Sequence, residues 1–284
     1  MTTLHDIKLL DFLLREDPLL FRAAKAYLDI KQRHGDEKSF EVSSESLSRC
    51  AASVSRIALT CMKKTDACRI FRLLGIETEA RRYMFRNNRD NCFGIGVASY
   101  KDRPLLRETR YKLYNYYHRA QDQSNPAGHV TAIASRLCLD TARIASDIRC
   151  FQNIRMSAVD LYETGKKGLK IYYGPFPTDS LTTACASVLK KGVLKTYERW
   201  RKIGWLPQKV MLAIRYQQKG SRSVRTDFPF DSSDVTTLIR RFDKTQAAQR
   251  LYQVLLSVAN TIRITYICID MDKRPRTQFY FEVL

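Results

Sequence analysis

The sequence predicts an α+β protein: a helical N-terminal domain over residues 1–160, then a ferredoxin-like, split β-α-β domain over residues 161–284. Three observations predict it. Apolar residues recur at three-to-four spacing through most of the first half. The second half alternates strand-like runs with two long helical runs, and each half carries one strongly basic block.

In the first half, LHDIKLLDFLL sets Leu4, Ile7 and Leu14 on one helix face, and Asp17-Pro18 opens a second helix at its first turn. LLFRAAKAYLDIKQRH runs on to His34-Gly35, a stop signal. A third helix is expected through SLSRCAASVSRIALTCMKK after Ser43 or Ser44, and a fourth through DACRIFRLLG, ended by Gly75. NNRDNCFGIG (87–96) reads as a loop. Pro104 opens a helix through LLRETRYKLYNYYHR, SNPAG closes it, and residues 129–152 form one more.

In the second half, GLKIYYG (168–174) reads as a strand and residues 177–204 as a long helix weakened at Gly192. KVMLAIRY (209–216) and VRTDFPF (224–230) read as strands, and residues 231–260 as a second helix. IRITYICID and TQFYFEVL close the chain as a hairpin about KRPR. A turn at Lys273–Arg276 sets Asp270 opposite Phe279 and Glu282 opposite Ile267. The boundary between the two parts falls near residues 153–166.

The order from Gly168 to Asp272, with its basic hairpin and the strand ITYICID, resembles the little-finger domain of Y-family translesion DNA polymerases. The resemblance covers the C-terminal part alone. It implies a module that grips nucleic acid. The polymerase catalytic segments have no counterpart here, so no catalysis is implied.

With 44% hydrophobic and 27% charged residues, the chain has an ordinary globular balance and room for two cores. No apolar run reaches the ~18 residues of a membrane helix. The amino end, MTTLHDIKLLDFLLRED, carries acids within its apolar run, unlike a secretory signal, so the chain is expected to start at Met1 and to stay intracellular, cytoplasmic or nuclear. Its eight cysteines include no CxxC and its four histidines no metal-ligand spacing, so reduced thiols and no cofactor are expected.

The formal charge of +20 is concentrated in two blocks. Residues 49–119 hold 16 bases against 6 acids, net +10, and residues 165–225 hold 14 against 2, net +12. Such blocks suit a polyanion, whose counterions are released on binding. In the first, Arg81, Arg82, Arg86 and Arg89 alternate with Tyr83 and Phe85. On the helix expected at 104–119, Arg103, Arg107, Tyr111, Tyr114 and His118 form a stripe with Arg110 beside it, a surface for phosphate contact and base stacking. In the second, Lys166, Lys167 and Lys170 precede a helix face of Lys191, Lys195, Arg199 and Lys202, and Lys219, Arg222 and Arg225 sit in the following hairpin. Trp200 and Trp205 read as core anchors.

These features predict a non-catalytic nucleic-acid-binding protein that holds single-stranded RNA, or single-stranded DNA, in a basic cleft between two domains, as a self-associating nucleoprotein or a complex subunit. Two alternatives are weighed beside it. One is a metal-dependent phosphoryl-transfer enzyme using Asp270 and Asp272 of ICIDMD. The other is a matrix-like protein on anionic membranes. The short GIG at 94–96 fits no nucleotide-binding fingerprint.

Overall fold

Alternation with a period of two governs several stretches that read as helix or loop by a period of 3.6. In the run Thr109–Tyr116, Lys112, Tyr114 and Tyr116 point one way and Leu113 and Asn115 the other, and aromatic residues favour such a pleated surface. The computed structural model describes residues 4–34, 40–43, 56–84, 92–98, 109–117, 125–162, 164–180, 183, 191–232, 234–242, 246–259, 261–270 and 276–283.

Helices α1 (Leu4–Glu16) and α2 (Pro18–His34) precede strands β1 (Phe40–Ser43) and β2 (Arg56–Met62). Then α3 (Lys64–Leu73) and α4 (Glu77–Tyr83) lead to β3 (Cys92–Ala98) and β4 (Thr109–Tyr116). Next, α5 (Pro126–Arg136) and α6 (Thr141–Phe151) lead to β5 (Ile154–Tyr162) and β6 (Lys167–Pro177). Helix α7 (Lys191–Lys202) precedes β7 (Lys209–Gln217) and β8 (Arg222–Ser232). Finally, α8 (Val235–Phe242) and α9 (Ala247–Val258) precede β9 (Ile262–Asp270) and β10 (Arg276–Val283). Among the described residues a helix-helix-strand-strand order thus recurs four times, and the single helix α7 precedes β7 and β8.

The strands form one closed antiparallel barrel of ten. Each strand from β2 to β10 pairs with its sequence neighbour, and short β1 pairs with both β2 and β10 to close the ring. Closure leaves no sheet edge to aggregate. A ten-stranded ring is wider than the eight-stranded barrels that side chains just fill, so its interior can hold a ligand.

The outward face of the barrel is the main core. Ile57, Ile95, Leu113, Val159, Ile171, Ile214, Ile267 and Phe281 are fully buried under the surrounding helices. Helix α8 presents Val235, Leu238, Ile239 and Phe242 as one apolar stripe, and Trp200 and Trp205 meet the Phe242 ring edge-on at 6.3 and 6.4 Å. Tyr197 of α7 is buried and hydrogen-bonded to Thr226 of β8. The Asn125 and Asp140 side chains cap α5 and α6 by accepting from Gly128 and Arg143 N–H groups, each cap worth ~1 kcal/mol. Among the described residues no helix is long and apolar enough to cross a membrane.

This barrel replaces the expected helical domain followed by a ferredoxin-like domain. One sheet continues through residue 160, since β5 pairs with β4 on one side and β6 on the other. The helix expected at 104–119 is β4 over its described part, and the loop expected at 87–96 ends in β3. RIALTCM is strand β2 rather than the end of a third helix, and residues 129–152 are two helices broken between Arg136 and Thr141. The second-half strands do exist, and they continue the ring instead of closing a separate sheet. In the last hairpin Asp270 pairs with Arg276 and Phe279 with Ile267. A bulge at Tyr280/Phe281 sets Glu282 opposite Arg263.

Candidate active site

Because side chains alternate across a strand, register decides which face the lumen. Aligned across the ring, Glu41 stands beside Ala58, then Gly96, Lys112, Asp160 and Gly168. A second row runs Gly94, Tyr114, Ala158, Lys170, Arg215. A third runs Tyr116, Met156, Tyr172, Ala213, Arg225. Tyr114, Tyr116, Ala158, Tyr172, Met211 and Ala213 form a cluster separate from the outer core, with Met156 and Tyr266 against it.

The lumen is therefore two-sided in character. One side is ionic. Lys112 Nζ lies 2.7 Å from Asp160 Oδ1, and Arg215 Nε lies 2.8 Å from Asp160 Oδ2. Arg225 grips Asp227 through two nitrogens at 2.6 and 2.7 Å, and donates to the Tyr280 hydroxyl at 3.1 Å. Lys170 is buried with its ammonium 4.9 Å from the centre of the Tyr172 ring, and Arg56 is buried at the start of β2. The other side is apolar and aromatic, with the Tyr114 ring 6.0 Å from Tyr116 and 6.4 Å from Tyr172.

Burial on this scale shifts proton affinities. Desolvation lowers the Lys112 ammonium to about 7, against the pull of Asp160 and with help from Arg215 and Arg56. Desolvation also lowers Lys170, with Arg225 as the next cause. At Asp160 desolvation pushes upward, but Lys112 and Arg215 outweigh it and hold the carboxyl at about 2. Across Ala58 and Gly96 from Lys112 stands Glu41, accepting a hydrogen bond from the Thr265 hydroxyl at 3.2 Å. Desolvation lifts its carboxyl to about 7, opposed by that hydrogen bond and aided by Glu282 and Asp227. A carboxyl and an ammonium that both titrate near neutrality, on one row of the barrel lining, suit proton transfer and anion binding.

Five basic side chains (Arg56, Lys112, Lys170, Arg215 and Arg225) face the lumen together with Asp160, Asp227 and Glu41. Of the residues singled out in the sequence, Tyr114, Lys170 and Arg225 line this lumen. Tyr111 packs against the outer core. Arg81 and Arg82 lie on α4 beside Glu77 and Glu79, and Lys167 bonds Glu79 at 2.9 Å at the exterior of the barrel. Lys166, Lys195, Arg199 and Lys202 are exposed, and Arg222 pairs with Asp147 outside the barrel. Arg110, Lys191, Lys219 and Asp270 fall on described backbone, with nothing to state of their side chains. Arg86, Arg89, Arg103, Arg107, His118 and Asp272 lie outside the described residues. Among the described residues no three His, Cys, Asp or Glu side chains converge as metal ligands.

Sequence reasoning missed Glu41, Arg56, Lys112, Asp160, Tyr172 and Arg215. The available signal was polar residues at alternate positions within otherwise apolar runs, as in RYKLYNY and KIYY. GIG also finds its reason here. A Cβ at Gly94 would lie 2.9 Å from the Leu59 carbonyl oxygen and 3.0 Å from the Tyr116 ring, so only glycine admits this approach.

No protein-family model and no curated protein matches the sequence. Solved structures do match the fold. The 6-dimethylallyltryptophan synthase from Micromonospora olivasterospora, in complex with DMASPP and Trp, superposes with a TM-score of 0.55 at 14% identity, over 85% of this chain and 80% of that one. The 5-dimethylallyltryptophan synthase from Streptomyces coelicolor gives 0.55 at 12% identity, over 87% and 80%. The prenyltransferase PriB, in complex with L-tryptophan and dimethylallyl thiolodiphosphate, gives 0.52 at 14% identity, over 86% and 79%.

These neighbours are aromatic prenyltransferases whose complexes hold a prenyl thiolodiphosphate and tryptophan. They overturn the resemblance to a polymerase little finger. With it go the reading as a non-catalytic nucleic-acid binder and its phosphoryl-transfer and matrix-like alternatives. The physical reason is placement: Lys170 and Arg225, read as part of a surface for a strand, are folded inward, and Tyr114 is too buried to stack on a base. The chain has the ten-stranded barrel fold of the aromatic prenyltransferases.

Proposed function

We propose that the chain is an aromatic prenyltransferase, moving an isoprenyl group from a prenyl diphosphate to an electron-rich aromatic acceptor inside the barrel. The observation that carries this reading is the lumen itself. Its buried basic side chains, Lys112, Lys170, Arg215 and Arg225, suit an anion such as a prenyl diphosphate, and they adjoin a wall of tyrosine faces.

In the reaction the bond between C1 of the prenyl group and the diphosphate oxygen breaks, and both electrons leave with the diphosphate. Lys112, Lys170, Arg215 and Arg225 hold that developing charge where water cannot screen it. The allylic cation left behind is faced by the rings of Tyr114, Tyr172 and Tyr280, each cation–π contact contributing ~0.5–2 kcal/mol. A π pair of the acceptor ring forms the new carbon–carbon bond. The proton displaced from that ring passes to the Glu41 carboxylate, whose proton affinity near neutrality suits a general base.

Tryptophan and other indoles are the first acceptors to try, because the neighbours' complexes hold tryptophan. The chain is incubated with dimethylallyl diphosphate and each indole, and prenylated product is followed by mass. Lys170→Ala and Arg225→Ala are expected to slow product formation ~100-fold, the usual loss when one preorganised charge stabiliser is removed. Unchanged rates in both variants would overturn the assignment.

A further inference from the structure

Beyond Arg56 at the start of β2, the described lumen-facing residues of β2 and β3 are small, Ala58, Gly94, Gly96 and Ala98, while the adjoining positions of β4 are Lys112, Tyr114 and Tyr116. The tyrosines lean over those glycines. A Cβ on Gly96 would lie 3.3 Å from Lys112 Cβ, 3.5 Å from Tyr114 Cε2 and 3.7 Å from the Tyr114 hydroxyl, so the Tyr114 ring is laid back along the wall. Gly94 differs, because its Cβ would strike the backbone oxygen of Leu59 as well as Tyr116. Gly94 is thus required by the barrel, whereas a Cβ at Gly96 would meet side-chain atoms alone, Lys112 Cβ most closely and then the Tyr114 ring.

The Tyr114 ring borders the apolar half of the lumen. Tyr114 adjoins Tyr172, Tyr116 and the Met211 and Met156 side chains. Lys170 sits over Tyr172, so a chain attached to an anion held there starts beside Tyr172 and runs past Tyr114. A branched side chain at 96 fills the space behind the ring and turns the phenol toward the barrel axis, across that path.

We propose that Gly96 is a positioning residue that sets how long an isoprenoid chain the lumen accepts, by allowing the Tyr114 ring to lie against β3. The inference rests on the prenyl-transfer reading and adds the structural limit on its donor. Gly96→Val narrows the apolar half through Tyr114, Gly96→Ala does so by less, and Gly96→Val with Tyr114→Leu reopens it.

The test is calorimetric binding of dimethylallyl, geranyl and farnesyl thiolodiphosphates to the full chain, with inorganic diphosphate as the control that lacks a chain. The geranyl-to-dimethylallyl affinity ratio should fall about tenfold in Gly96→Val, the lower end of what overpacking costs. It should recover when Tyr114→Leu is added, while diphosphate affinity stays within about threefold throughout. Recovery separates an effect through Tyr114 from general damage to the barrel, and Gly96→Ala gives the same direction if the valine variant does not fold. A ratio unchanged in both Gly96 variants, with diphosphate still bound, sinks this inference and leaves prenyl transfer standing. If the parent chain binds none of the three analogues, the prenyl-transfer reading fails and this inference fails with it.

Discussion

Replacing Asp160 by asparagine removes the carboxylate that the lumen cations share. Its two oxygens lie 2.7 Å from Lys112 and 2.8 Å from Arg215, and the Lys112 and Asp160 side chains are 2% and 0% exposed. Breaking a fully buried pair by removing one partner costs ~3–5 kcal/mol, because the other charge is left buried and unpaired. Arg215 is 30% exposed and can recover some hydration, which argues for the lower end, about 3 kcal/mol. For a chain of this size that corresponds to a fall of roughly 6–12 °C in Tm. The loss should be recoverable, since an anion entering the lumen supplies the missing negative charge. Inorganic diphosphate at ~100 times its Kd adds ~2.7 kcal/mol to any chain that binds it. With the competing Asp160 charge gone, Asp160→Asn is expected to bind diphosphate more tightly than the parent, so a fixed concentration should raise its stability by more. Urea unfolding followed by tryptophan fluorescence, with and without diphosphate, reads both quantities. A loss below about 1 kcal/mol, in the range of an exposed pair, would refute the account of the ionic side. So would diphosphate stabilising the parent more than the variant.

Three further outcomes follow from the same geometry. The Glu41 carboxyl is raised from 4.5 to about 7, so its contribution to stability is complete below 4.5 and is lost as pH rises through about 7. Glu41→Gln should flatten stability over that window, while product formation by the parent should rise with pH through about 7. A variant that keeps the parent's pH profile for product formation would remove Glu41 as the base. The Lys112 ammonium is lowered from 10.5 to about 7, so its contribution is present above 10.5 and is lost as pH falls through about 7. Lys112→Met should therefore gain stability relative to the parent as solutions are acidified from 10.5 to 7, measured by Tm. Finally, Tyr117→Phe removes hydrogen bonds to Ser157 at 2.7 Å and His129 at 2.8 Å on the outside of the barrel. It should cost about 1–2 kcal/mol of stability while leaving diphosphate affinity unchanged, and altered affinity would mean that the two faces are coupled.

The strands from β6 onward were legible in the sequence because KVMLAIRY and IRITYICID are rich in β-branched and aromatic residues. The strands β2, β3 and β4 were not. RIALTC follows a serine- and alanine-rich stretch that reads as helix, CFGIGVA holds two glycines that read as loop, and TRYKLYNY follows a proline that reads as a helix start. In each case pairing across the ring overrides local preference. The glycines are tolerated because Tyr114 and Tyr116 fill the space that side chains would occupy. The site was partly visible as charge and tyrosine content, but its direction was not. Lys112 and Lys170 read as ordinary members of basic blocks until register turns both toward the same lumen. Glu41 lies among the first 48 residues, which hold 7 bases and 9 acids, and nothing in the sequence distinguishes it from the other carboxylates there.

The lumen, and not an exterior surface, should receive a prenyl diphosphate. Calorimetric binding of dimethylallyl thiolodiphosphate to the parent chain and to Lys170→Ala and Lys166→Ala tests it directly. Lys170 is buried inside the ring and Lys166 is exposed on the connection before β6, only four positions away in sequence. The account predicts binding that Lys170→Ala weakens at least about tenfold and Lys166→Ala leaves within about threefold, a difference of ~1 kcal/mol or more between an interior and an exterior charge. Equal losses in the two variants, or no binding to the parent chain, would contradict it.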